Sequence, residues 1–286
     1  MIAEAASWSL DSANMNGVTS MLRGLLLGIL AVGVGALALA DDAAKQTRIL
    51  LVYTRPDHAH GTHMYEFECR LLARCLRQTR GVEPVVALDW PEDGKALEGV
   101  KSIVYYSRPA GDIVLSAKNR EAFLKLMKDG VGFVAIHWGT GAAPERKEEY
   151  TNVLGGWFHR PPCGLKVDTR PLVQADPAHP ICRGWQPFDL REEFYLDLAF
   201  HAQSRPIFKA NVDGKEQVVA WAFERPDTKG GRSFGTTLGH FHENFTLVPF
   251  RKAIVNGILW TAHVEIPKEG APVLLSSEET TLPVKK

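Results

Sequence analysis

The chain has 286 residues, is 45% hydrophobic, and balances 33 Lys+Arg against 33 Asp+Glu. That composition excludes a disordered chain, and zero formal net charge gives no electrostatic case for nucleic acid or an anionic membrane as partner. Ten histidines and seven tryptophans stand out, which points to a site built from imidazole and aromatic rings.

The first recognisable segment is an uncharged apolar run of 17 residues from Gly24 to Ala40, preceded by Arg23. It is shorter than the about 20 residues of a membrane span and ends in the small-x-small triplet Ala38-Leu39-Ala40. Residues 1–40 therefore read as a signal peptide cleaved after Ala40, with Met21 as the effective start and the preceding residues as an upstream start choice. An exported protein, periplasmic or secreted, without a stable membrane partner is expected. The alternative is an anchor retained through residues 24–40. Residues 41–267 read as one α/β domain and 268–286 as a loose polar tail.

Short β-rich runs at Arg48 to Thr54, Ser102 to Ser107, Val131 to Ile136 and Arg232 to Leu238 predict buried strands. Helical spacing follows Met64 (Phe67, Leu71, Leu72, Cys75, Leu76) and runs from Asn119 to Asp129, where Gly130 is a stop. A last helix carries Phe250, Ile254 and Ile258 after Pro249. Strand then helix, repeated, predicts an α/β fold with a mostly parallel sheet and helices on both faces. The proline-rich stretch 145–230 reads as strands and long loops added to the same core. Cys69 and Cys75, about 9 Å apart along a helix, are beyond disulfide reach. Cys163 and Cys182 lie in loop-like sequence and could pair.

Three predicted strands end in histidines: Asp57-His58-Ala59-His60-Gly61-Thr62-His63 after the first, His137-Trp138 after the third, and Gly239-His240-Phe241-His242 after the fourth. In open parallel sheets the ligand crevice lies outside the carboxyl ends of the strands, so topology alone brings these segments toward one rim. A single loop histidine is usually a surface or packing residue; three sets at three strand ends argue for a site. Metal binding and general acid–base catalysis both use such clusters, and no HExxH motif chooses between them. If the rim is shared, His137 and His242 should lie within about 8 Å of each other, a span one ion can bridge. Extended backbone would point His240 and His242 to the same side. Glu193 and Tyr195 in Arg191-Glu192-Glu193-Phe194-Tyr195 offer a base and a phenol, while Trp138, Trp157 and Trp221 offer rings that are more often core. No GxGxxG or P-loop spacing occurs, so no nucleotide cofactor is indicated.

Several stretches together resemble the ThuA-like, or trehalose-utilisation, family: Lys128 to His137 (KDGVGFVAIH), Leu154 to Phe158 (LGGWF), Asp176 to Pro180 (DPAHP), Glu192 to Tyr195, and Gly231 to His242 (GRSFGTTLGHFH). The resemblance implies a flavodoxin-like, class I glutamine-amidotransferase-like fold and a role in carbohydrate metabolism linked to 3-keto sugars. His137 stands where true amidotransferases carry their nucleophilic cysteine, and His242 matches their catalytic histidine. Without the thiol, amide hydrolysis through a thioester is excluded. The expected function is action on a sugar or 3-keto sugar, by isomerisation or epimerisation with a divalent metal, zinc first. Metal ligands would come from His58, His60, His63, His137, His240 and His242. His137, His242, Glu193 and Tyr195 would be the catalytic groups, and Trp138 and His159 would contact substrate. The alternative is a non-catalytic carbohydrate-binding protein using the same cleft.

Overall fold

Residues 46–284 are described by a computed structural model; the expected signal segment and its cleavage site lie outside the described residues. Alternation along the predicted strands sets the architecture. In β1 (Thr47–Tyr53), Ile49 and Leu51 enter one apolar layer and Leu50 and Val52 the other, all four fully buried. β3 (Val100–Tyr106) and β4 (Gly132–Ile136) divide their side chains the same way. Burial on both faces explains why these strands are continuous apolar runs. Helices α1 (Tyr65–Leu76) and α6 (Val248–Thr261) fill the first layer. Helices α2 (Ala110–Val114), α3 (Arg120–Lys128) and α4 (Lys147–Leu154) fill the second.

With β2 (Val82–Leu88) and β11 (Arg232–Thr236), these strands form a parallel half in the order β2-β1-β3-β4-β11. That is the flavodoxin-like order, in which ligands lie at the carboxyl rim. The periodicity reading passes over β2 because it contains Pro84; β2 is an edge strand, where a missing N–H is tolerated.

The stretch 145–230 extends the same sheet with antiparallel strands β10 (Lys215–Glu224), β9 (Arg205–Val212), β6 (Gly164–Gln174) and β7 (Phe188–Leu196). Asp213-Gly214, both at positive φ (53° and 79°), makes the two-residue turn between β9 and β10. A separate two-stranded ladder joins β5 (Gly156–Trp157) to β8 (Ala199–Phe200). At the Gly155-Gly156 pair, Gly155 closes α4 in the left-handed region (φ 84°). A Cβ on Gly156 would come within 2.5 Å of the Trp221 ring. Trp157 and Trp221 are core residues, their indole N–H groups donating to the Ala142 and Leu154 carbonyls.

Two expectations are corrected. The tail is not loose over its described part, residues 268–284. Ala271 and Val273 are buried in the first layer, and Ser276 opens a short last helix, α7 (Ser277–Thr280), with a capping box. Cys163 and Cys182 do not pair; all four cysteines are free. Cys163 lies in the second apolar layer and Cys182 in the first, so the sheet separates them.

Candidate functional site

Each of the three histidine segments leaves the carboxyl end of a parallel strand, and two of them do so under backbone strain. His63 and His137 are held at φ 48° and 55°, a left-handed region that costs a non-glycine residue on the order of 1–3 kcal/mol and concentrates at functional sites. In His137 the strain comes at the abrupt turn from β4 into the loop. In His63 it is fixed by pairing between segments: the His63 N–H donates to the His240 carbonyl at 3.1 Å, the His242 N–H to Gly61 at 2.9 Å, and Thr62 bridges Phe241.

This frame brings three ring nitrogens together. His63 Nε2 lies 3.0 Å from His240 Nδ1 and 3.0 Å from His137 Nε2, and His137 Nε2 lies 3.1 Å from His240 Nδ1. Hydrogen-bond partners assign the protons elsewhere on two of the rings. His137 Nδ1–H donates to the Thr237 carbonyl at 2.7 Å. His63 Nδ1–H faces Asp57 Oδ1 at 3.1 Å and the Tyr65 hydroxyl at 2.7 Å, and that hydroxyl donates to Asp57 Oδ2 at 3.2 Å. The two Nε2 atoms therefore present bare lone pairs to each other. Burial keeps these rings neutral: it pushes His63 and His240 down to about 4, with the neighbouring His58 adding to both, and holds His137 well below its ordinary value.

Lone pairs facing at this distance repel unless a cation sits between them. Tetrahedral nitrogen ligands at about 2.0–2.1 Å from zinc are themselves separated by about 3.3 Å, close to the spacing seen here. An imidazole whose second nitrogen donates to a carbonyl or carboxylate is the usual oriented metal ligand. The donor set fits a divalent ion with three protein ligands and an open position.

Strand β7 supplies the acids. Alternation turns its two adjacent glutamates to opposite sides. Glu192 is fully buried and accepts from the backbone N–H groups of Gly239 (2.7 Å), His240 (3.0 Å) and Glu193 (2.8 Å) and from Asn244 Nδ2 (2.8 Å). Burial pushes its carboxyl up to about 7 against these donors, which favour the ionised form. Glu193 faces the histidines, with Oε2 at 3.4 Å from His240 Nδ1 and 3.6 Å from His137 Nε2, and burial raises its pKa. The Tyr195 hydroxyl lies 3.2 Å from His137 Nε2, and its ring stacks on Phe158 at 3.7 Å. Beside the cluster opens a cavity of about 190 Å³ lined by His58, His63, Trp138, Phe158, Arg160, Leu165, Glu193 and Tyr195.

The structure thus brings together His63, His137, His240, Glu193, Tyr195 and Trp138. His58 stands at the edge, its ring 3.6 Å from that of His63 and its Nδ1 2.7 Å from Asp57 Oδ1. His60 is exposed and belongs neither to the His63–His137–His240 triangle nor to the second group of converging ligand atoms among the described residues, Asp57, His58 and His63. His159 stacks on Trp157 and does not line the cavity. His242 departs from expectation: the extended segment ends at Phe241, and α5 (His242–Phe245) begins at His242, turning its ring away. Its Nδ1 meets Glu68 Oε1 at 2.5 Å and its Nε2 the Thr280 carbonyl at 2.8 Å. Burial opposes charge on this ring, but the Glu68 carboxylate outweighs it and raises the pKa. Sequence reasoning missed Glu192, Asp57 and Tyr65. Strand alternation could have separated Glu192 from Glu193; nothing local signals the other two.

The family model for ThuA, trehalose utilisation, matches residues 49–261. No curated protein matches the chain. A ThuA-like protein from Parabacteroides merdae has a similar structure, with TM-score 0.61 and 16% identity over 83% of this chain and 100% of that one. Another from Bacteroides uniformis gives TM-score 0.59 and 16% identity over 79% and 95%. A glutamine amidotransferase from Thermotoga maritima aligns at TM-score 0.41 with 10% identity over 76% and 96%. Because that family model covers residues 49–261, more than half of the chain, this protein belongs to the ThuA, trehalose-utilisation, family.

Proposed function

We propose that the protein is a metal-assisted enzyme acting on a sugar or 3-keto sugar, moving a proton next to a carbonyl so as to isomerise or epimerise it. The observation that carries this reading is the pair of bare Nε2 atoms on His63 and His137, 3.0 Å apart, with His240 Nδ1 closing the triangle. His63, His137 and His240 would hold a divalent ion, zinc by the all-nitrogen donor set, which when bound supplies Lewis-acid polarisation of a carbonyl oxygen.

The remaining chemistry belongs to the chain. Glu193, half-buried between the histidines and the cavity, takes the proton from the carbon next to the carbonyl as the C–H electron pair shifts toward the carbonyl. It returns that proton to the former carbonyl carbon as the neighbouring hydroxyl's proton passes to the former carbonyl oxygen, which isomerises the sugar; return to the opposite face of the first carbon, after the planar enediolate turns over in the cavity, epimerises it. Its raised pKa suits both directions of transfer. The Tyr195 hydroxyl is placed to donate to an oxygen held near His137. Trp138, Phe158 and Leu165 wall the cavity and limit water.

The test is proton exchange. Full-length protein loaded with zinc is incubated with 3-keto-glucose in D2O, and deuterium next to the carbonyl is followed by NMR. Exchange faster than the buffer rate is expected, and Glu193→Gln should slow it about 100-fold while leaving metal content unchanged. Binding of the sugar with no exchange above buffer would replace this reading with that of a non-catalytic carbohydrate-binding protein.

A further inference from the structure

We propose that Arg160 makes the cavity beside the histidines a carboxylate site, so that the sugar it takes is an acid, such as a keto-aldonate or a uronate, and not a neutral sugar. The inference rests on the functional reading above only for the place where the sugar's carbonyl would lie.

Arg160 is exposed at the cavity it lines, and among the described residues none forms a hydrogen bond or ion pair with its guanidinium. Its charge is felt across the cavity at Glu193, where it works against the effect of burial. Arg191, close to the same rim, is by contrast already committed: it pairs with Glu243 at 3.0 Å and lies over the Phe241 ring at 3.9 Å. A guanidinium without a partner keeps its planar fork of donors for a ligand, and that fork matches two carboxylate oxygens side by side.

The walls strengthen this attraction. Trp138, Phe158 and Leu165 are apolar neighbours in the same cavity, and a charge pair beside apolar walls attracts more strongly than one in bulk water. Size narrows the ligand further. At about 190 Å³ the cavity is smaller than the roughly 300–1,000 Å³ of sites for drug-sized molecules, so it suits about one sugar unit. Glu193 lines the same cavity as the negative group and faces the histidines, with Oε2 at 3.4 Å from His240 Nδ1. A ligand with an uncharged carbonyl end and an anionic end would place the first at the histidines and the second at the guanidinium, keeping its carboxylate away from Glu193.

Calorimetric titration of the zinc-loaded full chain with 5-keto-D-gluconate, D-glucuronate, D-glucose and inorganic phosphate tests the proposal, alongside the Arg160→Met variant. This variant keeps an unbranched stem and removes the charge. At least one acid should bind about tenfold or more tightly than glucose, and Arg160→Met should erase that preference while zinc content stays constant. Equal binding of glucose and both acids, a preference that survives in Arg160→Met, or no binding of either acid at millimolar concentration would overturn it. Phosphate binding tighter than both acids would also overturn it, by making the site one for phosphate. Repeating the titration on chelated protein separates the two readings. An Arg160-dependent acid preference in a chain that binds no zinc leaves this inference standing and removes the metal. Bound zinc with no acid preference does the reverse.

Discussion

Replacing His137 by alanine is expected to lower zinc affinity about a hundredfold or more. Structural zinc sites are worth roughly 10–16 kcal/mol in four-ligand peptides, so one ligand accounts for about 3 kcal/mol, and every 1.4 kcal/mol is tenfold. The same substitution should weaken the metal-free fold by only about 1–3 kcal/mol, the cost of leaving the buried Thr237 carbonyl without its donor. It removes an imidazole whose Nε2 crowds His63 Nε2 at 3.0 Å, although alanine inherits the strained φ of 55°. His137→Gly relieves that strain and serves as the control. Thermal melts of both variants with and without zinc read the outcome: the wild type gains stability from zinc and the variants do not. If His137 is instead a packing residue, zinc will stabilise the wild type and both variants equally.

Glu192→Ala should be the most damaging substitution to the fold near the site. It leaves four donors, the N–H groups of Gly239, His240 and Glu193 and the Asn244 amide, without their buried acceptor. A loss of about 3–5 kcal/mol is expected, or a Tm lower by about 10 °C for a domain of this size. Glu192→Gln should fall between the two, because its NH2 group cannot accept. Glu193→Gln, one residue away on the opposite face of β7, should lie within about 1 kcal/mol of wild type. Denaturant melts of the three variants decide the order. An unchanged midpoint for Glu192→Ala would mean that the loop after β11 is held by something else.

Much of this architecture was legible in the sequence because parallel strands buried on both faces must be apolar throughout. The runs at β1, β3, β4 and β11 announce themselves, and the sheet topology then carries the histidines behind them to one rim. The choice between His240 and His242 was not legible. Two-residue spacing puts both on one side only while the chain stays extended, and the chain turns helical at His242. Glu192 was hidden for a different reason: its acceptor role depends on N–H groups 47 and 48 residues further on. Likewise the proton on His63 is set by Asp57 and Tyr65, whose side chains meet it only once the loop has folded. The C-terminal segment looked loose because its composition is polar, yet Ala271 and Val273 are buried and its backbone pairs with Gln78, Arg251, Asn256 and His242, partners far away in sequence.

Metal analysis of the purified full chain tests the central claim most directly. After growth with zinc, mass spectrometry of the metal should find one equivalent per chain. Removal by chelation and back-titration should restore it with submicromolar affinity. His63→Ala and His240→Ala should each abolish that binding, while His60→Ala, an exposed position on the same loop, should not. A folded wild-type chain that binds no zinc, cobalt or manganese at micromolar concentration, or that binds them equally well without His63 and His240, would contradict the account.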